Sequence, residues 1–271
     1  VLPTDDDLTH FEAHGAAALP QAGECGYVEN RGARIWYCGY GSGPVAILLH
    51  GGLGHGGNWG YQVNALVASG RRVVVVDSRG HGRSTRDAQP FSYELMASDV
   101  LAVMDVLAIG RAALVGWSDG ACTALIVAHR APERVDSVFF FGCNMDPSGA
   151  REFVPTPMIE RCFARHAHDY ARLSATPDGF STFVEAVTEM MKSQPNYTSS
   201  DLRAIRVPVL IVHSEHDEFI RPEHAHYLAA TIPAAQLVLL PGVTHFAPLQ
   251  RPQLFNEALL AFLDKHGAAK S

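Results

Sequence analysis

Six short apolar runs limit the architecture of this 271-residue chain more than any other feature. They are PVAILLH (44–50), RRVVVVD (71–77), RAALVGW (111–117), VDSVFFFG (135–142), VPVLIVHS (207–214) and AQLVLLPG (235–242). Each is continuously apolar and rich in β-branched residues. That is the pattern of strands covered on both faces, as in a mostly parallel sheet. Helical patterns lie between them, at about 58–69, 93–108, 119–131, 222–231 and 252–266. Strand, helix, strand, helix places helices on both faces of an α/β sheet. Upstream, YVEN and ARIWYCGYG flank a turn at Arg31-Gly32 and read as a hairpin. The stretch before it, TDDDLTHFEAHGAAALPQAG, reads as an extension with a short helix after Thr4.

One interval breaks the rhythm. Residues 143–203 offer no strand candidate and two helical stretches. In the second, Phe180, Phe183, Val184, Val187 and Met191 share one apolar helix face. That face is expected to pack on the main domain. An insertion after a strand's C-terminal end also stands where open α/β sheets bind ligands, so part of it is expected to roof a pocket. The organisation is therefore a core of 1–142 and 204–271, with a helical insertion at 143–203.

Hydrophobic residues make up 47% of the chain and charged ones 18%, enough for a sizeable core and too apolar for disorder. The net charge of −7 argues against nucleic acid or an anionic membrane as partner. No apolar run approaches the roughly 20 residues of a membrane-spanning helix. A small-molecule substrate is the expected partner, with the oligomeric state left open. Five cysteines, Cys25, Cys38, Cys122, Cys143 and Cys162, show neither a C-x-x-C pair nor framework spacing. They read as free thiols of a reducing, cytoplasmic compartment. The chain begins at Val1 rather than Met, which leaves a removed leader open.

The chemistry centres on VGWSDGA (115–121), between a buried strand and a helix. In Gly116-x-Ser118-x-Gly120 a sharp strand-to-helix turn holds the serine in strained backbone geometry. Glycines two positions to either side remove side chains that would clash there. The turn lifts the hydroxyl over the sheet edge, at a helix N-terminus whose partial positive charge favours a developing oxyanion. A serine hydroxyl also needs a base, and the base an orienting acid. Asp217 follows a strand end in IVHSEHDEF, and His245 lies in the loop after the last strand in LLPGVTHFAP. Ser118, Asp217, His245 is the serine–acid–histidine order of α/β-hydrolases.

Four stretches together, LLHGGLG (48–54), VVDSRGHGRS (75–84), GWSDGA (116–121) and PGVTHF (241–246), resemble the α/β-hydrolase superfamily. The resemblance runs from about residue 26 to 266. It implies an α/β-hydrolase fold with an eight-stranded, mostly parallel sheet, a helical cap at 143–203 and no cofactor. It also implies an oxyanion hole formed by the backbone N–H of Asp119 and that of Gly52, with Leu53 as the register alternative. Glu215 and Glu218 flank Asp217, and the family's spacing favours Asp217 as the acid. Arg79, in the 77–84 loop, is expected to hydrogen-bond neighbouring carbonyls or carboxylates. Serine rather than aspartate at 118 argues against an epoxide hydrolase or a dehalogenase.

Several residues carry competing readings. His213, His216 and Asp217 straddle a strand end, so they diverge where a zinc site needs three or four converging ligands, and no metal is expected. His224 and His226 are two apart on a helix, face different sides and read as surface residues. The Asp119 side chain either turns aside to accept helix N-terminal N–H bonds or binds a cationic group of the substrate. The second reading comes from GWSDG, which resembles the elbow of valacyclovir-hydrolase-like α-amino-acid ester hydrolases. Trp117 either lines the acyl pocket or packs under the elbow, and Leu53 is a further substrate-contact candidate. The favoured function is a serine hydrolase of carboxylic esters or lactones. The alternatives are a carbon–carbon bond hydrolase, a haloperoxidase-like esterase, or a slow-turnover ligand sensor on the same fold.

Overall fold

A computed structural model describes residues 4–266. The short helix of the N-terminal extension is α1 (Thr9–His14). The hairpin is β1 (Cys25–Asn30) and β2 (Ala33–Tyr40), antiparallel, with Arg31 and Gly32 at positive φ in its turn. Then follow β3 (Val45–Leu49), α2 (Gly60–Ala68), β4 (Arg72–Val76), α3 (Tyr93–Val106), β5 (Ala112–Trp117), α4 (Asp119–Arg130) and β6 (Val135–Phe141). The interval after β6 carries α5 (Pro157–Leu173), α6 (Phe180–Ser193) and α7 (Ser199–Ala204), and no named strand. The chain closes with β7 (Val209–Ser214), α8 (Pro222–Thr231), β8 (Ala235–Leu240), α9 (Ala247–Gln250) and α10 (Pro252–His266).

The eight strands form one sheet in the order β1-β2-β4-β3-β5-β6-β7-β8, parallel from β4 to β8. Alternate side chains feed two cores. Ile47, Leu49, Val74, Leu114, Val138 and Phe140 pack on the α3 and α4 side. Ala46, Leu48, Val73, Val115, Phe139 and Phe141 pack on the α2 and α10 side. This double burial is why the central runs carry no polar alternation. β8 departs from that expectation. It is the sheet edge, and Gln236 and Leu239 are exposed. An apolar run shows that a stretch is a strand, but not how many neighbours it has.

The strand order positions the site. From β3 the chain crosses to β4 on one side and then to β5 on the other. The loops leaving β3 and β5 therefore diverge, opening a crevice at the carboxyl ends of these two strands. The first carries His50-Gly51-Gly52 and the second carries Ser118.

The expectation of five free thiols is corrected here. The β1–β2 register sets Cys25 opposite Cys38, and the two are joined by a disulfide, while Cys122, Cys143 and Cys162 are free and buried. A pairing made by hairpin register leaves no framework spacing in the sequence. With Cys25 and Cys38 joined, the cysteines no longer point to a reducing compartment. Among the described residues, no helix is long and apolar enough to cross a membrane.

Candidate active site

Ser118 links the end of β5 to the start of α4 at φ 53° and ψ −124°. A non-glycine residue there carries strain of roughly 1–3 kcal/mol, held by its surroundings. Its N–H donates to Phe141 O at 2.8 Å, and its carbonyl accepts from Ala121 N–H at 2.7 Å. Both flanking glycines are needed. A Cβ at Gly116 would strike the Ala121 backbone, and one at Gly120 the Leu49 carbonyl. α4 therefore crosses β3 at backbone contact, and Ser118 is left half-buried at the sheet edge.

The acid and the histidine meet past the ends of β7 and β8, and among the described residues Ser118 Oγ makes no hydrogen bond to His245. His245 Nδ1 lies 2.9 Å from Asp217 Oδ2, and Asp217 Oδ1 accepts the N–H groups of Phe219 and Ile220, both at 2.9 Å. Three neighbouring acidic residues divide the work. Asp217 takes the imidazole, Glu218 Oε2 accepts the His245 backbone N–H at 2.9 Å, and Glu215 Oε2 accepts that of Gly242 at 2.8 Å. Burial disfavours the imidazolium of His245, but the charge and hydrogen bond of Asp217, with Glu218 and Asp119 nearby, outweigh it and raise its pKa above 6.5. Burial likewise works against the Asp217 carboxylate, and His245 with the Phe219 N–H outweighs it, so its pKa is lowered.

The Trp117 ring lies in the core under the elbow, edge-on to Trp59 and Phe246, and its Nε1 donates to His245 O at 2.9 Å. It supports the histidine loop from below.

The loop after β3 makes a tight turn, with Gly54 N–H donating to Gly51 O at 3.1 Å and Leu53 at φ 64°. Leu53 is buried in the core on the α3 side. His50 fastens the turn. Its Nε2 accepts Ser78 N–H at 3.0 Å, so Nδ1 carries the proton it gives to Gly51 O at 2.7 Å. Burial drives its pKa down to about 4, which keeps that tautomer neutral. Asp77 Oδ1 accepts Gly56 N–H at 2.7 Å. Arg79 forks onto Asp99 and donates to the carbonyls of Asn30 and Arg31. The 77–84 loop is thus a brace for the β3 loop. Among the described residues, the N–H groups of Gly52, of the register alternative Leu53 and of Asp119 donate to no protein acceptor.

Gly52, Asp119 and the insertion converge. A Cβ on Gly52 would strike Met191 Cε, and would lie 2.8 Å from Asp119 Oδ2. Met191 stands on α6 with the expected apolar face. Phe183 and Val187 are fully buried there with Met190, and Met191 is partly exposed. The expectation that Asp119 accepts helix N-terminal N–H bonds is not met. Oδ1 accepts the Tyr93 hydroxyl at 2.7 Å, and Oδ2 is buried with no hydrogen-bond partner among the described residues. Burial raises the Asp119 pKa to about 6, against the opposing pull of Tyr93 and His245.

Sequence reasoning missed Tyr93, which opens α3, 26 positions before the residue it touches. It also missed Phe219, whose ring meets the His245 imidazole edge-on at 4.7 Å. Phe153 lies parallel to Phe219 and to Phe163 of α5, and Arg151 N–H donates to Phe219 O at 2.7 Å. Nothing local in the sequence marks these contacts. His224 corrects another expectation. It is buried, with Nε2 accepting Met145 N–H at 3.0 Å, because its side of α8 faces the start of the insertion. His213 is buried and His216 exposed, so they do not converge.

Residues 46–258 match the alpha/beta hydrolase family. The chain belongs to that family. Among its relatives is a putative carbamate hydrolase, RutD, of Caulobacter sp. (strain K31), 30% identical over 82% of this chain and 91% of that protein. Another is the serine hydrolase BPHL of Mus musculus, 28% identical over 93% and 90% of the two chains. Among solved structures, Est816, described as an N-acyl homoserine lactone degrading enzyme, superposes with a TM-score of 0.70. It is 28% identical and covers 88% of this α/β-hydrolase and 100% of its own chain.

Proposed function

We propose that this α/β-hydrolase is a serine hydrolase that cleaves carboxylic esters or lactones through an acyl-enzyme. Ser118 attacks the carbonyl carbon. His245 takes the hydroxyl proton and passes it to the leaving alcohol, while Asp217 orients the ring and stabilises the imidazolium. The N–H groups of Gly52 and Asp119 receive the oxyanion. Water, activated by His245, then releases the acid. Residues 143–203 act as a cap that brings Met191 over the acyl side.

The observation that carries this reading is the 2.9 Å contact between His245 and Asp217, in a chain whose Ser118 is held strained between β5 and α4. The turn at Gly51 supports it, because a Cβ there would lie 3.2 Å from Ser118 Cβ, placing the loop against the nucleophile. Two of the similar proteins bear names that support acyl chemistry, a putative carbamate hydrolase and an N-acyl homoserine lactone degrading enzyme, whereas another is named a 2-hydroxy-6-oxo-6-phenylhexa-2,4-dienoate hydrolase. Ser118→Ala is expected to lower kcat on p-nitrophenyl acetate by about 10⁶-fold. Retained turnover in purified Ser118→Ala protein overturns the assignment.

Within the ester class, Asp119 favours substrates with a protonated amine on the acyl side. Its Oδ2 is buried, unpartnered and adjacent to Gly52. An unpaired buried acceptor is costly unless a ligand supplies the donor. Free-amine valine and phenylalanine esters are therefore expected to outpace their N-blocked forms.

A further inference from the structure

We propose that Tyr93 is a positioning residue for Asp119: its hydroxyl occupies Oδ1 and presents Oδ2 alone to a protonated amine on the substrate's acyl chain. This rests on the reading of Asp119 as the acceptor of a cationic group.

The geometry that supports it is specific. A carboxylate can only accept, so the 2.7 Å contact requires Tyr93 to be the donor. Burial, and then the charge of Asp119 itself, push the Tyr93 pKa well above 10, so the proton stays on the phenol. Tyr93 is the first residue of α3 and is fully buried, and its own N–H donates to Gln194 Oε1 at 3.3 Å, just past α6. It is therefore held at both ends, between the core and the insertion. With Oδ1 taken, the remaining oxygen faces Gly52 and Met191, where the acyl chain of a bound ester would lie.

The same bond steadies the charge. The titratable groups around the carboxyl are Tyr93 from α3, Cys122 on its own helix and His245 from its loop, while Cys143 after β6 faces Tyr93 and Cys122. Among the described residues, only Tyr93 donates a hydrogen bond to it. Without the hydroxyl, ionisation of Asp119 would have no donor to offset its burial, and the carboxyl would stay protonated to higher pH.

The test compares two isosteric esters, p-nitrophenyl β-alaninate, with its primary amine protonated, and p-nitrophenyl butyrate. The ratio of their kcat/KM values is followed from pH 5 to 8 in wild type, Tyr93→Phe and Asp119→Asn. Using a ratio cancels the titration of His245 and any loss of folded enzyme. In wild type the ratio is expected to rise with ionisation of Asp119, and in Asp119→Asn to be low and flat. In Tyr93→Phe it is expected to be about tenfold lower near pH 6.5, as befits loss of a hydrogen bond to a charged group, and to recover toward the wild-type plateau at higher pH. A Tyr93→Phe curve that overlays wild type overturns the role of Tyr93 and leaves that of Asp119 standing. A Tyr93→Phe ratio as low as that of Asp119→Asn at every pH also overturns it, because Tyr93 would then shape the pocket without governing the charge. A wild-type ratio that does not change with pH overturns the reading of Asp119, and this inference with it.

Discussion

Replacing Asp119 by Asn should stabilise the protein in a way that grows with pH. Burial lifts the carboxyl from its ordinary 3.8 to about 6 in the folded state. Below pH 3.8 both folded and unfolded chains hold the proton, and the group contributes nothing. Between 3.8 and about 6 the unfolded chain releases it while the folded chain keeps it. The folded state then binds more protons, and stability falls as pH rises. Above about pH 6 the penalty is complete, at about 3 kcal/mol. Asn carries no charge and escapes this. Its Oδ1 can still accept the Tyr93 hydroxyl, while its Nδ2 replaces the unpartnered Oδ2, which displaces the whole curve by a constant. The informative quantity is therefore the change in the difference between variant and wild type from pH 4 to pH 7. For a chain of 271 residues it corresponds to about 5 °C in Tm. Thermal unfolding of both proteins in matched buffers across that range measures it. Curves that stay parallel would refute the argument that Asp119 is an ionised, poorly solvated carboxylate at neutral pH. The expected result also implies a trade of stability for function, since Asn would remove the cation acceptor.

Two further outcomes follow from the site. On the proposed mechanism His245 is the base and acts only when neutral, and its acidic neighbours raise its pKa above 6.5, so kcat/KM on a neutral ester should decline as pH falls through a midpoint above 6.5; full activity at pH 5 would contradict this. Gly52→Ala should cost about 10²-fold in kcat on p-nitrophenyl acetate, because the new methyl strikes Met191 and crowds Asp119 Oδ2 and so displaces the N–H proposed to receive the oxyanion. Wild-type kcat in that variant would place the oxyanion hole elsewhere.

Much of the scaffold was readable because its determinants are local or periodic. The runs at 44–50, 71–77, 111–117, 135–142 and 207–214 became β3 to β7 with ends shifted by a residue or two, since burial on both faces leaves a run of β-branched residues in the sequence. The elbow was readable for a steric reason. Gly116 and Gly120 are where a side chain would strike backbone, and the need for glycine there does not depend on distant residues. Asp217 and His245 were found through chain order, since each sits just past a strand whose end could be located.

What escaped were features set by strand pairing and packing rather than by local pattern. The Cys25–Cys38 bond follows from a hairpin register, and the exposure of Leu239 from a place at the sheet edge. The burial of His224 follows from the side of α8 that faces the insertion. None of these leaves a mark at its own position.

Sequence alone thus determined the α/β architecture, the strained serine turn and the acid–histidine pair, because backbone sterics and strand periodicity act over a few residues. Only the tertiary structure decided what surrounds the reacting group. It gave one oxygen of Asp119 to Tyr93, left the other free beside Gly52, and brought Met191 of α6 against the same glycine. Those pairings depend on how α3, α4 and the insertion pack together. Packing is set by the summed shape of many side chains, and no single stretch of sequence encodes it.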